Sequence, residues 1–383
     1  MSIYLDNNAT TPIAPAVLDA MLPFLREQFG NPSSNYALGR VAKEAVATAR
    51  AHVAALIGAQ PDEIIFTSGG TEASNMAIRG SMALSGDRRA IVTSTIEHPA
   101  TEEPCKLLAQ HGHRIHRIKA NSDGRIDLDD ARNAIGGDVG LVTLIHAQNE
   151  TGVLQPVADV AAMARQHGIP VHADAAQSAG KLAIDVDALG IDLLSIAGHK
   201  LYAPKGIGAL YVRRGRKLEP VLRGAGQEGG RRPGTENVAS IVALGEACRL
   251  AALRLRDNAT REMERLARDL YARLQRAVPG IELVGHATER LPNTLNVLFP
   301  GVSRRAVLDA CPEVIASTGS ACHADREEAS AALRALGIAE HKALGAVRLS
   351  LGFATTAGDV EAAATALAAA WQRCGATRQT VRA

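Results

Sequence analysis

Apolar residues recur every three or four positions through 14–29 and again through 39–56, with Val17, Met21, Phe24 and Leu25 on one face of the first segment. This spacing predicts two amphipathic helices. Gly30-Asn31-Pro32-Ser33-Ser34 between them is a loop by composition. From about 64 to 213 the pattern changes, and short β-branched runs alternate with helix-like stretches. The runs at 64–67, 90–94, 115–118, 140–146, 170–173, 193–197 and 208–213 predict strands. Helices are predicted near 72–84, 100–111, 127–135 and 156–167. Such alternation predicts an α/β fold with a large, mostly parallel sheet covered by helices.

Beyond 213 the character shifts. Segment 214–235 is rich in Gly and Arg, the composition of an exposed or ligand-covering loop. One long helix is predicted from 237 to about 275, placed to connect two domains. Strands at 293–299, 314–317 and 346–351 then mix with helices near 304–311, 327–336 and 358–372. The expectation is a large α/β domain over 14–256 and a small α+β domain over 257–383, the latter joined by residues 1–13.

The 383 residues are enough for two cores, and 46% of them are hydrophobic, with aromatics at only 3%. A formal charge of +2 gives no reason to expect nucleic acid as a direct partner. No apolar run approaches the roughly 20 residues of a membrane span, and the start MSIYLDNNATTP lacks the layout of a secretory signal. Cysteines 105, 248, 311, 322 and 374 show neither a zinc-like nor a disulfide-framework spacing. A reducing cytoplasm with free thiols is the expected setting, and no metal is expected.

Several fragments carry candidate chemistry. Thr67-Ser68-Gly69-Gly70-Thr71-Glu72 follows a strand and enters a helix; its glycines, hydroxyls and helix-start N–H groups suit a phosphate, and equally an ordinary capped helix start. Asp174, after the strand IPVHA, is placed for a ligand crevice or for helix capping. Ala197-Gly198-His199-Lys200 ends another strand, and a desolvated lysine there is suited to a Schiff base. His98 is suited to stacking on a ring or shuttling a proton, and equally to a core position. Phosphate, ring nitrogen and aldehyde are three attachment points of one cofactor, and the set together favours pyridoxal phosphate. Cys322, in the small-residue stretch STGSACHA, is a candidate nucleophile; Arg348, in AVRLSLG, is a candidate grip for a carboxylate. Cys105 and Cys248 sit in apolar helical patterns and read as structural.

The sequence resembles the class V aminotransferases of fold-type I, specifically cysteine desulfurases of the nitrogen-fixation and iron–sulfur-cluster type. Ordered matches carry the likeness: YLDNNATTP (4–12), FGNPSS (29–34), IIFTSGGTEASN (64–75), EH (97–98), QNETG (148–152), HADAAQS (172–178), AGHKLYAPKGIGALYVRR (197–214), RRPGTEN (231–237), STGSACH (317–323) and RLSLG (348–352). The resemblance implies a homodimer that binds pyridoxal phosphate. It implies Lys200 as the Schiff-base lysine, Asp174 at the pyridine nitrogen and His98 over the ring. Asn149 and Gln177 are implied at the phenolic oxygen, Thr71 and His199 at the phosphate, and Thr235 at the partner subunit's phosphate. Arg348 and Asn31 are implied at the substrate. Cys322 is implied as the thiol that takes sulfur from L-cysteine, leaving L-alanine, and passes it to an acceptor or scaffold protein. Iron–sulfur assembly, tRNA thiolation and selenium recycling are all compatible destinations.

Three positions depart from the family pattern. Ala197 stands where many members have a phosphate-binding serine, Gln148 replaces the first Asn of a usual pair, and Tyr36 stands where many have His. Tyr36 and ACHAD at 321–325 resemble selenocysteine lyases, which makes L-selenocysteine the alternative substrate. A class V aminotransferase proper is a further alternative, and Cys322 discriminates, because amino-group exchange needs no thiol.

Overall fold

A computed structural model describes residues 2–319 and 328–382, with side chains as far as residue 375. The N-terminal portion contains strands β1 (Ile3–Tyr4), β2 (Ile64–Thr67), β3 (Ala90–Ser94), β4 (Arg114–Ile118), β5 (Val139–Ile145), β6 (Val171–Asp174), β7 (Leu193–Ala197) and β8 (Gly208–Val212). Helices α1 (Pro15–Arg26), α2 (Ala37–Leu56), α3 (Gly70–Met82), α4 (Pro99–Gln110), α5 (Leu128–Ala134), α6 (Val157–Arg165) and α7 (Val186–Leu189) lie between them. Strands β2 to β8 form one seven-stranded sheet in the order β2-β8-β7-β6-β5-β3-β4. Pairings from β4 through β7 are parallel, whereas β8 runs antiparallel to both β7 and β2.

Burial on both faces explains the near-continuous apolar strands. All seven residues of β5, VGLVTLI, are buried, as expected of a parallel strand covered by helices on each side. The two-residue period sorts side chains between two cores. Ile64, Phe66, Val92, Val142 and Leu194 face a core shared with α1, α2 and α6. Ile65, Ile91, Leu141, Leu193 and Leu210 face a second core, with Ala73, Met76 and Ala77 of α3.

The predicted helix over 237–275 is two helices, α8 (Val238–Arg256) and α9 (Ala259–Ala277). The break falls at Asp257-Asn258, where Asn258 takes the left-handed conformation at φ +56°, which asparagine tolerates better than most residues. α8 packs on α1 and α2, while α9 packs on a later helix. Past α9 come β9 (Glu282–Leu283), β10 (Thr294–Leu298), β11 (Val314–Ile315) and β12 (Ala346–Ser350). Among them lie α10 (Arg304–Asp309), α11 (Ala331–Ala335), α12 (Glu340–Ala343) and α13 (Ala357–Arg382), and α13 is the helix that α9 meets. Strands β9, β10 and β12 form an antiparallel sheet, in which Asn296 faces Arg348.

The chain start belongs beside this second sheet. β1 pairs in parallel with β11, Asp6 bridges to Ser350, and Leu5 is fully buried in the core of α9, α13, β10 and β12. The polar run Asp6-Asn7-Asn8-Ala9-Thr10-Thr11 therefore passes between the two sheets, next to the ends of the parallel strands. Among the described residues, no helix is long and apolar enough to cross a membrane.

Candidate active site

β2, β3, β5, β6 and β7 point the same way, so the residues just past their carboxyl ends gather along one edge of the sheet. That edge, at the ends of the strands, is where open α/β sheets bind ligands. Gly69 and Gly70 follow β2, His98 follows β3, Asn149 follows β5, Asp174 ends β6, and His199 and Lys200 follow β7.

Lys200 Nζ donates to the carbonyls of Asn8 and Ala9, both at 2.6 Å. Burial and the neighbouring Arg348 cation bring its amine down to about 8, against the opposing pull of Asp6 and Asp174. Asp174 is 4% exposed, and its Oδ1 accepts from Ala176 N at 2.9 Å. Burial raises its pKa, while His98 and Lys200 act in the opposite sense. These charges perturb one another across a single site. His98 caps α4, with Nδ1 accepting from Ala100 N at 3.1 Å. This leaves the proton of the neutral ring on Nε2.

Gln177 Nε2 donates to Asn8 O at 3.0 Å. Asn149 shares this neighbourhood, since its carbonyl accepts from Asn8 Nδ2 at 3.4 Å and Arg348 Nη1 at 3.0 Å. Gln148 turns away to serve the backbone, accepting from Glu150 N at 2.6 Å and Thr151 N at 2.8 Å. His199 Nδ1 lies 3.2 Å from Thr10 Oγ1, and burial, with Lys200 next in line, lowers its pKa to about 4.

The turn after β2 is shaped for close approach. Gly70 opens α3 with its Cα facing Ala197, where an added Cβ would lie 3.1 Å from Ala197 Cβ. Glu72 closes the turn by accepting from Ser68 N at 2.6 Å and from Arg232 Nε at 2.8 Å. Thr71 is exposed at the helix start, where N–H groups of α3 favour an anion.

Arg348 is buried in β12 and donates from Nη2 to Asp6 Oδ1 at 2.7 Å. Among the described residues its Nε is buried with no partner, a costly state that a hydrogen-bond acceptor would relieve. The backbone of Ser317 pairs with Arg348, through Arg348 N to Ser317 O at 2.9 Å. The chain leading toward Cys322 is thus laid on the strand that carries the arginine. Cys322 itself lies outside the described residues.

Two expected residues stand apart from this cluster within the chain. Asn31 is exposed, with Oδ1 accepting from Ser33 N at 2.9 Å, and Thr235 is exposed on the Gly/Arg-rich loop. Residues that sequence reasoning missed include Asp6, Asn8 and Lys181. For the first two a signal existed, because YLDNNATTP is one of the stretches that carry the family resemblance. Of the remaining cysteines, burial raises Cys105 and Cys248 to about 12 and Cys311 to about 11, so these thiols stay protonated.

The donor set fits pyridoxal phosphate: a buried carboxylate in need of a cation, an amine made easier to deprotonate, and a glycine turn at a helix N-terminus. A seven-stranded sheet with this aspartate and lysine on adjacent strand ends defines a fold-type I pyridoxal-phosphate transferase. Residues 3–363 match the family model for aminotransferase class-V, and the chain belongs to that family. It is a pyridoxal-phosphate-dependent enzyme. It is 43% identical over 364 residues to "Cysteine desulfurase IscS" of Dictyoglomus turgidum, covering 94% of this chain and 91% of that protein. It is 42% identical over 362 residues to "Cysteine desulfurase NifS" of Azotobacter vinelandii, covering 94% and 90%. The X-ray structure of a NifS-like protein from Rickettsia africae superposes with a TM-score of 0.87 at 30% identity, covering 97% of this chain and all of that one.

Proposed function

We propose that this protein is a cysteine desulfurase, taking sulfur from L-cysteine to give L-alanine and a persulfide on Cys322. The observation that carries the reading is the pairing of Asp174 and Lys200 at adjacent strand ends, with the Arg348 cation close enough to lower the lysine's pKa. When bound, the cofactor supplies an electron-withdrawing ring that stabilises negative charge at the substrate α-carbon. Asp174 would hold a proton on the ring nitrogen, because a buried carboxylate is stabilised by a cation beside it. Lys200 would attach the cofactor and, once free, carry the α-proton, a task helped by its lowered pKa. His98 would stack over the ring with its Nε2 proton available. Gln177 and Asn149 would hold the phenolic oxygen. Thr71 and His199 would hold the phosphate, together with Thr235 from the other subunit of a homodimer.

Arg348 would bind the substrate carboxylate; Asn31, also expected at the substrate, stands apart from Arg348 within the chain. Cys322 thiolate attacks the substrate sulfur, so that the S–S bond forms as the Cβ–S bond breaks. The net change is cysteine plus thiol giving alanine plus persulfide. Residues 14–256 would form the cofactor-binding domain and 257–383 with 1–13 the smaller one. A cytoplasmic, reducing setting suits the reactive thiol, and the persulfide sulfur would pass to an acceptor or scaffold protein.

The test is to supply L-cysteine to cofactor-loaded protein and assay alanine together with the mass of the Cys322 peptide. Alanine and one added sulfur atom are expected, and Cys322→Ala abolishes both while keeping the cofactor. Absence of both products from loaded wild-type protein overturns the reading, and near-exclusive turnover of L-selenocysteine replaces it with the lyase.

A further inference from the structure

Lys181 is a buried lysine that the chemistry above leaves without a task, only 5% exposed. It follows Gly180, which takes φ +73° and where a Cβ would come within 2.2 Å of Leu201 Cδ2. Only glycine suits that turn, and the turn brings the lysine side chain back onto Gln177. Lys181 Nζ donates to Gln177 O at 2.9 Å and to Gln177 Oε1 at 3.2 Å. Gln177 Nε2 then donates to Asn8 O, the carbonyl that also accepts from Lys200.

An ammonium offers donors only, whereas a glutamine amide has one acceptor end and one donor end. Lys181 therefore fixes which way Gln177 points: oxygen toward the buried lysine, NH2 toward Asn8 and Lys200. One N–H is engaged by Asn8, and the other is left for an acceptor in the site. We propose that Lys181 is a positioning residue that, through the Gln177 amide, aims a hydrogen-bond donor at the cofactor's phenolic oxygen and favours its ionised form. This rests on the placement of Gln177 given under the proposed function.

The charges that act on Lys181 are Lys200, on the turn after β7, and Arg348, on β12, both cations. His199, which senses Lys181, is held neutral by burial. Burial, Lys200 and Arg348 together bring Lys181 down to about 7. Its charge is thus present on the acid side of neutrality and withdrawn on the alkaline side.

The experiment follows the cofactor's visible absorption against pH in protein loaded with pyridoxal phosphate. Lys181→Met is expected to raise the apparent pKa of that absorption by about half to one unit. In a Gln177→Ala background the same replacement is expected to add no further shift, because the lysine acts through the amide. Lys181→Arg keeps a donor-only cation and is expected to hold the wild-type value near neutrality, which carries the test should Lys181→Met fail to fold. A second readout needs no cofactor. Lys181 has a folded pKa below its unfolded one, so it adds stability as pH rises from about 7 toward the usual lysine range. Thermal unfolding of the cofactor-free protein is expected to show a shallower rise across that window in Lys181→Met. An unchanged absorption pKa in a folded, loaded Lys181→Met protein overturns the inference and leaves the desulfurase reading standing. No cofactor absorption in loaded wild-type protein removes both.

Discussion

Arg348 and Asp6 form an ion pair at 2.7 Å, 342 positions apart in the chain, with the arginine side chain 4% exposed. The pair fastens the polar run after β1 to β12 and fixes the plane of the guanidinium. With Nη2 on Asp6 and Nη1 on the Asn149 carbonyl, Nε remains, among the described residues, a buried donor without a partner. A group held this way is oriented before substrate arrives, which lowers the ordering cost of binding.

Arg348→Lys keeps the charge and loses the planar fork, so it cannot serve Asp6, Asn149 and a carboxylate together. The expected result is a rise in KM for L-cysteine of about tenfold or more, the scale of one charge-assisted hydrogen bond. Steady-state kinetics on fully loaded protein checks this. An unchanged KM would mean that the substrate carboxylate is held elsewhere.

Ala197 lies against Gly70 at the turn that suits a phosphate, and it contributes no hydroxyl. Ala197→Ser adds a donor at a position where the neighbouring glycine leaves room for an oxygen. Loss of cofactor on dilution is expected to slow about tenfold, the order of one added hydrogen bond to a charged group. Absorbance after gel filtration measures it, and unaltered retention would show that the phosphate is not bound against β7.

Much of this was legible in the chain. Strand ends followed by Gly, Asp or Lys marked the edge of the sheet, because parallel strands buried on both faces read as apolar runs with abrupt polar stops. What escaped were relations between distant segments. Local periodicity contains nothing to say that Asp6 reaches Arg348, or that β8 reverses direction within an otherwise parallel sheet. The break at Asn258 was hidden for a different reason: the helical spacing continues on both sides, and one left-handed residue leaves little trace in a pattern of apolar positions. Lys181 carried no signal of its own, since its amine meets Gln177 only once the turn at Gly180 has folded the chain back.

Two buried histidines weaken the cofactor-free protein as the pH falls. His172 is fully buried, with Nδ1 2.8 Å from Thr143 Oγ1 and Nε2 2.8 Å from Ser195 Oγ, and burial lowers its pKa to about 3. His146, hydrogen-bonded to Ser178, is lowered by burial to about 4. Both folded values lie below the unfolded one of about 6.5, so the unfolded chain binds more protons in between. The contribution of these two histidines is then full above about pH 6.5 and falls as pH drops toward 4, by up to about 1.4 kcal/mol per pH unit for each. Glu97, raised by burial to about 8, acts in the opposite sense over this window, so the histidine contribution is read as a difference: the urea midpoint is expected to fall more steeply between pH 7 and about 4 in the wild type than in His172→Gln. Equal slopes in the two proteins would assign acid lability to other groups.

The loop that carries Thr235 is anchored through Glu228. Glu228 takes the left-handed conformation at φ +50°, strained for a residue with a side chain, at a cost of order 1 kcal/mol. What holds it there is a two-pronged pair with Arg50, at 2.7 and 2.6 Å, and acceptance from Phe66 N at 3.1 Å. Arg50 also lies 4.7 Å over the Phe66 ring, so the anchor ties α2, β2 and the loop in one place. The carboxylate is 3% exposed. Arg50 is 20% exposed and keeps its bond to the Ile64 carbonyl, so removing Glu228 costs less than in a fully buried pair, about 2 kcal/mol. Glu228→Ala is therefore expected to lower the unfolding midpoint and to speed tryptic cleavage after Arg231, the Arg232–Pro233 bond being resistant to trypsin. Because the two residues act as a unit, adding Arg50→Ala should cost much less in the variant than in the wild type. Full additivity of the two changes, with cleavage rates unaltered, would show that the pair does not anchor the loop.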